Sequence, residues 1–278
     1  MPEFGVLTYF EEAEQKVHYF CFYKMLKNPV LLSTLLLFIA VKSPAQTCKH
    51  GEKKYAITAK TPVAENVFDR HVSELYAECN LQNFQLSKEL FKKGLTGYYN
   101  LKSQKEDLKP ILSIIDFNKP STEKRLWIID LSEKKILFHT LVAHGKNSGD
   151  NYTVNFSNLV NSNMSSLGFY LTKNTYFGKH GLSLVIEGLD KNINCNAKSR
   201  AIVIHGADYV SPEFIKCTGR LGRSHGCPAI PAAQHKEIIE AIQGGSLLFI
   251  HHSGKKYNSD LLKRQAAISY YKNKNGNS

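Results

Sequence analysis

The hydrophobic rhythm of the chain changes partway along. Between residues 63 and 102 it is helical: Phe68, Val72, Leu75 and Cys79 fall at i, i+4, i+7 and i+11 and share one face. Leu86, Leu90 and Phe91 open a second amphipathic stretch, which Gly94 and Gly97 weaken as a helix. From residue 111 the pattern shortens to runs rich in β-branched and aromatic residues, 111–117, 126–131 and 136–143. Ser132-Glu133-Lys134-Lys135 separates the last two as a hairpin loop. Gly168-Phe169-Tyr170 leads into a further strand, residues 182–186 form another after the loop 177–181, and residues 201–204 suit one buried strand ending in His205-Gly206. Pro231 stands where a first helical residue would be, Ile238, Ile239 and Ile242 form an apolar stripe, and Gly244-Gly245 stops that helix. Residues 247–250 are a last short strand. The pattern predicts a mostly β domain over 111–254, a helical lead-in over 46–110, one helix after the Cys227 region, and a solvated polar tail over 255–278.

The first 45 residues read as targeting. Lys27 precedes an apolar block, residues 30–41, broken only by Ser33 and Thr34, and Ser43-Pro44-Ala45 supplies small residues for a cut. The block is shorter than the roughly 20 residues of a membrane span. Residues 25–45 are therefore expected to be a secretory signal cleaved after Ala45, with 1–24 an upstream extension and no stable membrane insertion after cleavage. That places the protein outside the cytoplasm, in the periplasm or cell envelope. The net charge of +12, from 36 basic and 24 acidic residues, suits an anionic partner such as cell-wall polymer, nucleic acid or a lipid surface. No nucleic-acid motif or dense Lys/Arg run occurs, so nucleic acid is not expected as a partner. Loss of residues 1–45 removes Cys21 and leaves Cys48, Cys79, Cys195, Cys217 and Cys227. An odd number leaves at least one thiol unpaired; the rest form up to two disulfides or stay free.

The chemistry concentrates between Arg200 and Pro231. His205-Gly206 at a strand end and Ser224-His225-Gly226-Cys227-Pro228 in a glycine-bounded turn supply a thiol nucleophile and an imidazole base, separated by 21 residues. A thiol near pKa 8.5 is only a few per cent thiolate at neutral pH, and a neighbouring imidazole corrects that. Gly226 permits a tight turn in which amides around Cys227 face a developing oxyanion.

His-Gly, a glycine-containing spacer and Ser-His-Gly-Cys resemble the signature of the murein L,D-transpeptidase catalytic domain family. The flanking runs over 111–252 resemble it more loosely. The resemblance implies Cys227 as nucleophile, His205 as base oriented by the Gly206 carbonyl, and His225 with Gly226 at the oxyanion pocket. It implies peptidoglycan stem tetrapeptides as substrate, with transfer of the acyl group to another stem or its hydrolysis by an L,D-carboxypeptidase, and no cofactor. Two features depart from the commonest family pattern: a longer spacer, and Pro228-Ala229 after the cysteine. Arg223, Ser224 and Arg200 flank the motif halves as candidate contacts to a stem carboxylate. His139, His144, His180 and His251-His252 are weaker candidates for substrate contact. Competing readings are a zinc site of His205, His225, Cys227 and His251 or His252, which lacks paired ligand spacing, and a wall-binding module without catalysis.

Overall fold

The computed structural model describes residues 67–275. The expected signal segment, the upstream extension and Cys48 lie outside the described residues. Two helices come first, α1 (Val67–Glu78) and α2 (Lys88–Lys102), joined by a 3-10 turn at Leu81–Phe84. The Ser87 hydroxyl caps α2 by accepting from the Leu90 amide at 3.2 Å. Gly94 and Gly97, which cost the helix propensity, sit where α2 lies closest to the sheet. A Cβ on Gly97 would fall 2.2 Å from the Phe169 ring. Contact with the sheet outweighs the intrinsic preference against glycine.

Eight strands follow: β1 (Ile111–Asp116), β2 (Leu126–Asp130), β3 (Lys135–Thr140), β4 (Gly168–Gly178), β5 (Gly181–Gly188), β6 (Val203–Ala207), β7 (Ala229–Pro231) and β8 (Leu247–His251). They form one sheet in the order β3-β2-β1-β8-β4-β5-β6-β7, antiparallel except for the β1/β8 and β6/β7 pairs. Beyond β3 the chain crosses to the opposite edge, where the Ala143 amide donates to the Ala229 carbonyl at 2.8 Å and nearly closes the sheet.

Both faces of the central strands are covered, which is why those runs are continuously apolar rather than alternating. Leu112, Ile114, Trp127, Phe169 and Phe249 pack with α1 and α2. Ile115, Ile128, Ile186, Ile204 and Leu248 pack on the other side with Ile238, Ile239 and Ile242 of the helix α4 (His235–Ile242). This is the mostly β architecture with a helical lead-in and a helix after the Cys227 region that the pattern predicts.

Three local expectations are corrected. Pro231 is the last residue of β7 rather than the first of a helix; β7 is an edge strand, where a missing amide breaks no ladder, and α4 starts four residues later. A short helix, α3 (Pro212–Thr218), occupies the spacer read only as glycine- and proline-containing. The Ser211 hydroxyl caps it at 3.2 Å and Gly219, in the left-handed region, ends it. The segment after residue 255 is not a solvated tail throughout. Its helix α5 (Arg264–Asn275) buries Ala267 and Ile268 against the α1/α2 core, and the Asn100 side chain holds the Leu261 and Lys263 carbonyls at 2.7 and 3.0 Å.

Candidate active site

The register of β5, β6 and β7 builds the site. His205 pairs with Ser183 on one side and with Ala229 on the other, so the turn ending at Cys227 lies at the mouth of the β6/β7 pair. The Val203 amide, two residues before His205, donates to Cys227 Sγ at 3.5 Å. The imidazole of His205 is 2% exposed, and its Nδ1 lies 2.9 Å from the Gly206 carbonyl oxygen. A carbonyl only accepts, so Nδ1 carries the proton and Nε2 presents its lone pair.

Burial lowers the pKa of His205, with His180 and Lys179 adding to the shift and the Gly206 bond opposing it. Burial raises the Cys227 thiol, while the Val203 amide, Arg200 and Lys179 work against that rise. Both shifts favour a thiol and a neutral imidazole over an ion pair. Such an imidazole can take the thiol proton as attack begins.

The motif turn is held from within and from below. Ser224 Oγ accepts from the Gly226 amide at 3.0 Å and donates to the Cys227 carbonyl at 2.6 Å, so its hydroxyl shapes the turn. Gly226 has φ +125, and a Cβ there would meet the Met164 carbonyl at 2.8 Å. The segment 144–146 runs beside Ser224: the Ser224 amide donates to the His144 carbonyl at 3.0 Å, and the Lys146 amide to the Ser224 carbonyl at 2.8 Å. His225 is exposed at the turn.

The two candidate arginines hold structure as well as charge. Arg200 donates to the Ser157 carbonyl (2.8 Å), Ser166 Oγ (2.6 Å), Ser162 Oγ (3.2 Å) and the Met164 carbonyl, fixing the loop beneath Gly226. Arg223 donates to the Gly149 carbonyl at 3.1 Å and pairs with Asp150 at 3.2 Å. Asp150 is solvent-exposed, so that ion pair is weak and exchangeable.

Of the other histidines, His139 stacks on Trp127 at 5.0 Å, and His252 packs against Phe156 at 5.3 Å. His180 lies on the proposed base itself, its ring stacked on His205 with centroids 4.4 Å apart. Among the described residues no three His, Cys, Asp or Glu side chains converge as metal ligands, so the zinc combination is not assembled. Cys79, Cys195 and Cys227 are free and Cys217 is disulfide-bonded.

Sequence reading missed the support under the 144–146 segment. Arg125 is fully buried and donates to the Val142 carbonyl (2.9 and 3.1 Å), the Lys119 carbonyl (2.8 Å) and His144 Nδ1 (2.8 Å). Because the guanidinium only donates, His144 is protonated on Nε2. Burial, then the Arg125 charge, pulls its pKa down to about 3. Replacing Arg125 by methionine leaves the Val142 and Lys119 carbonyls and His144 Nδ1 without their donor and is expected to cost about 1–3 kcal/mol of unfolding free energy, the scale for buried acceptors left unpaired. Urea denaturation measures it. A loss below about 1 kcal/mol would show that this network does not support the fold.

A family model for the L,D-transpeptidase catalytic domain matches residues 82–251, which take in all eight strands and the motif. No curated protein matches significantly. Among solved structures, an L,D-transpeptidase from Mycobacterium smegmatis is 10% identical with a TM-score of 0.33, over 51% of this chain and 59% of that one. A mutant of the Enterococcus faecium L,D-transpeptidase is 14% identical with a TM-score of 0.33, over 52% and 50%. The helical cell shape determining protein Pgp2 from Campylobacter jejuni is 14% identical with a TM-score of 0.33, over 64% and 63%. The chain thus spans less than two thirds of the length of each.

Proposed function

This chain belongs to the L,D-transpeptidase catalytic domain family, whose members act on peptidoglycan, and from that premise we propose that it exchanges the L,D peptide bond of a stem tetrapeptide through a thioester on Cys227. The observation that supports this reading is the β6/β7 pairing, which sets the Cys227 turn beside a buried His205 whose Nδ1 proton is held by Gly206. His205 Nε2 takes the thiol proton as Sγ bonds to the carbonyl carbon of the third stem residue. The Cys227 amide and the exposed His225 ring are the donors assigned to the developing oxyanion. The C–N bond then breaks, His205 returns the proton to the leaving amine, and the terminal D-residue departs. In the second half His205 deprotonates the amine of another stem, which attacks the thioester and releases the thiol.

Written this way the reaction uses no metal and no cofactor, because thiol acyl transfer needs no Lewis acid. Residues 111–254 are the proposed catalytic unit, with the lead-in supporting it from behind the sheet. The substrate places the enzyme in the cell envelope. Arg223, whose partner Asp150 is exchangeable, is the proposed contact for a stem carboxylate.

Mass spectrometry of muropeptides after incubation with the protein tests the proposal. Products joined through third-position residues are expected. Loss of the terminal D-residue alone would replace transfer by L,D-carboxypeptidase activity, and unchanged muropeptides would count against both.

A further inference from the structure

The turn between β4 and β5 lies outside the motif yet lays a ring on the proposed base. Gly178 pairs with Gly181, so Lys179 and His180 form a two-residue turn, and Gly181 takes φ +70 to close it. The β5 register then places Ser183 opposite His205, three residues beyond His180. The two imidazoles stack nearly parallel, with an interplanar angle of 18°. His205 is buried while His180 is exposed, so His180 covers His205 with one face and keeps the rest in solvent.

We propose that His180 is a positioning residue, whose ring holds the His205 imidazole in plane and dry so that Nε2 stays aimed and unprotonated; this rests on the reading of His205 as base. The Nδ1–H bond to Gly206 fixes one edge of the His205 ring but leaves the far edge, with Nε2, free to tilt. A flat ring against its face removes that freedom, and offset aromatic pairs of this kind are favourable. The hairpin tip is otherwise open, with Phe177 84% exposed, so the stack covers one ring without closing the cleft.

The groups acting on the pair are Lys179 on the same turn, which also acts on Cys227, and His225 on the motif turn, and the His235 ring lies beside Gly206. Lys179 and His180 both disfavour a proton on His205, and burial does so more strongly. With the cover in place, the acid limb of acylation therefore falls below the ordinary histidine value of about 6.5. Without it the limb moves up towards that value, because the ring regains water.

Three forms of the full chain decide the matter: wild type, His180→Ala and His180→Phe. Two quantities are read, the pH at which the His205 imidazole protonates, by NMR, and single-turnover acylation across pH by a stem peptide or β-lactam. His180→Ala is expected to acylate about tenfold more slowly at neutral pH, the order of an aromatic pair, with the His205 titration and the acid limb both moved up. His180→Phe, which keeps a flat ring but cannot titrate, is expected to restore both. The proposal is overturned if His180→Ala matches wild type in titration and rate, or if His180→Phe is as impaired as His180→Ala. A wild type that titrates as described but is never acylated overturns the acyl-transfer reading, and the positioning role with it. The turn is exposed, so thermal melts of all three forms are expected to coincide; a lowered melt for His180→Ala alone would make the residue structural and also overturn the role.

Discussion

Cys227→Ala is expected to abolish acyl-enzyme formation while leaving the fold standing. The sulfur is partly buried, and its polar partners are the Val203 amide at 3.5 Å and the Ala201 carbonyl at 3.7 Å. Removing one sulfur leaves a small void at the edge of the core cluster that contains Ile202 and Ile230, for which about 1 kcal/mol is a fair scale. The turn survives because Ser224 Oγ holds backbone atoms, not the thiol.

Two other free thiols among the described residues provide an internal control. Cys79 is buried, and burial pushes its thiol up to about 11, so it is a poor nucleophile. Cys195 is exposed, and its thiol is lowered chiefly by the Asn158 amide, which donates to the sulfur at 3.4 Å. Intact mass after incubation with a stem peptide or β-lactam therefore has a clear alternative outcome. If Cys227→Ala still gains the acyl mass, Cys195 is the first place to look and the site proposed here is wrong.

The central strands were legible in the sequence because both of their faces are buried, which writes apolar residues into most positions of runs such as Ile111–Asp116. The motif was legible because its residue types are chemically unusual side by side. Other features depended on partners distant in sequence. The burial of Ala267 and Ile268 needs the α1/α2 core, which lies well over 150 residues away, and the short apolar run at 266–271 is set in polar sequence that does not by itself mark a buried face. The stack of His180 on His205 follows from strand register alone: a two-residue turn after Gly178, then Ser183 opposite His205. Arg125 gave no sign of burial either. An arginine at the mouth of an apolar run reads as a solvated edge until the Val142 and Lys119 carbonyls are seen to surround it. Arg200 and Ser224 were visible beside the motif, but residue type alone does not separate a side chain that meets substrate from one that holds a turn.

His205→Ala is expected to slow acylation at neutral pH by roughly 10²–10⁴-fold, the usual contribution of a positioned base. The direction of the two pKa shifts sets how that loss varies with pH. In wild type, burial holds His205 below its ordinary value, which favours the neutral base, and the rate declines as acid protonates Nε2. In the variant no imidazole takes the thiol proton, and attack depends on solvent ionising Cys227. Burial raises that thiol, so recovery begins only above the ordinary cysteine range of about 8.5 and grows with alkalinity. His225→Ala leaves the base in place; its loss is expected to be smaller and nearly constant across the same range. Single-turnover acylation of both variants, followed by intact mass from acid to alkaline pH, distinguishes them. An alkaline recovery in His225→Ala but not in His205→Ala would exchange the roles of the two histidines. A His205→Ala protein as fast as wild type at neutral pH would remove the base from the mechanism altogether.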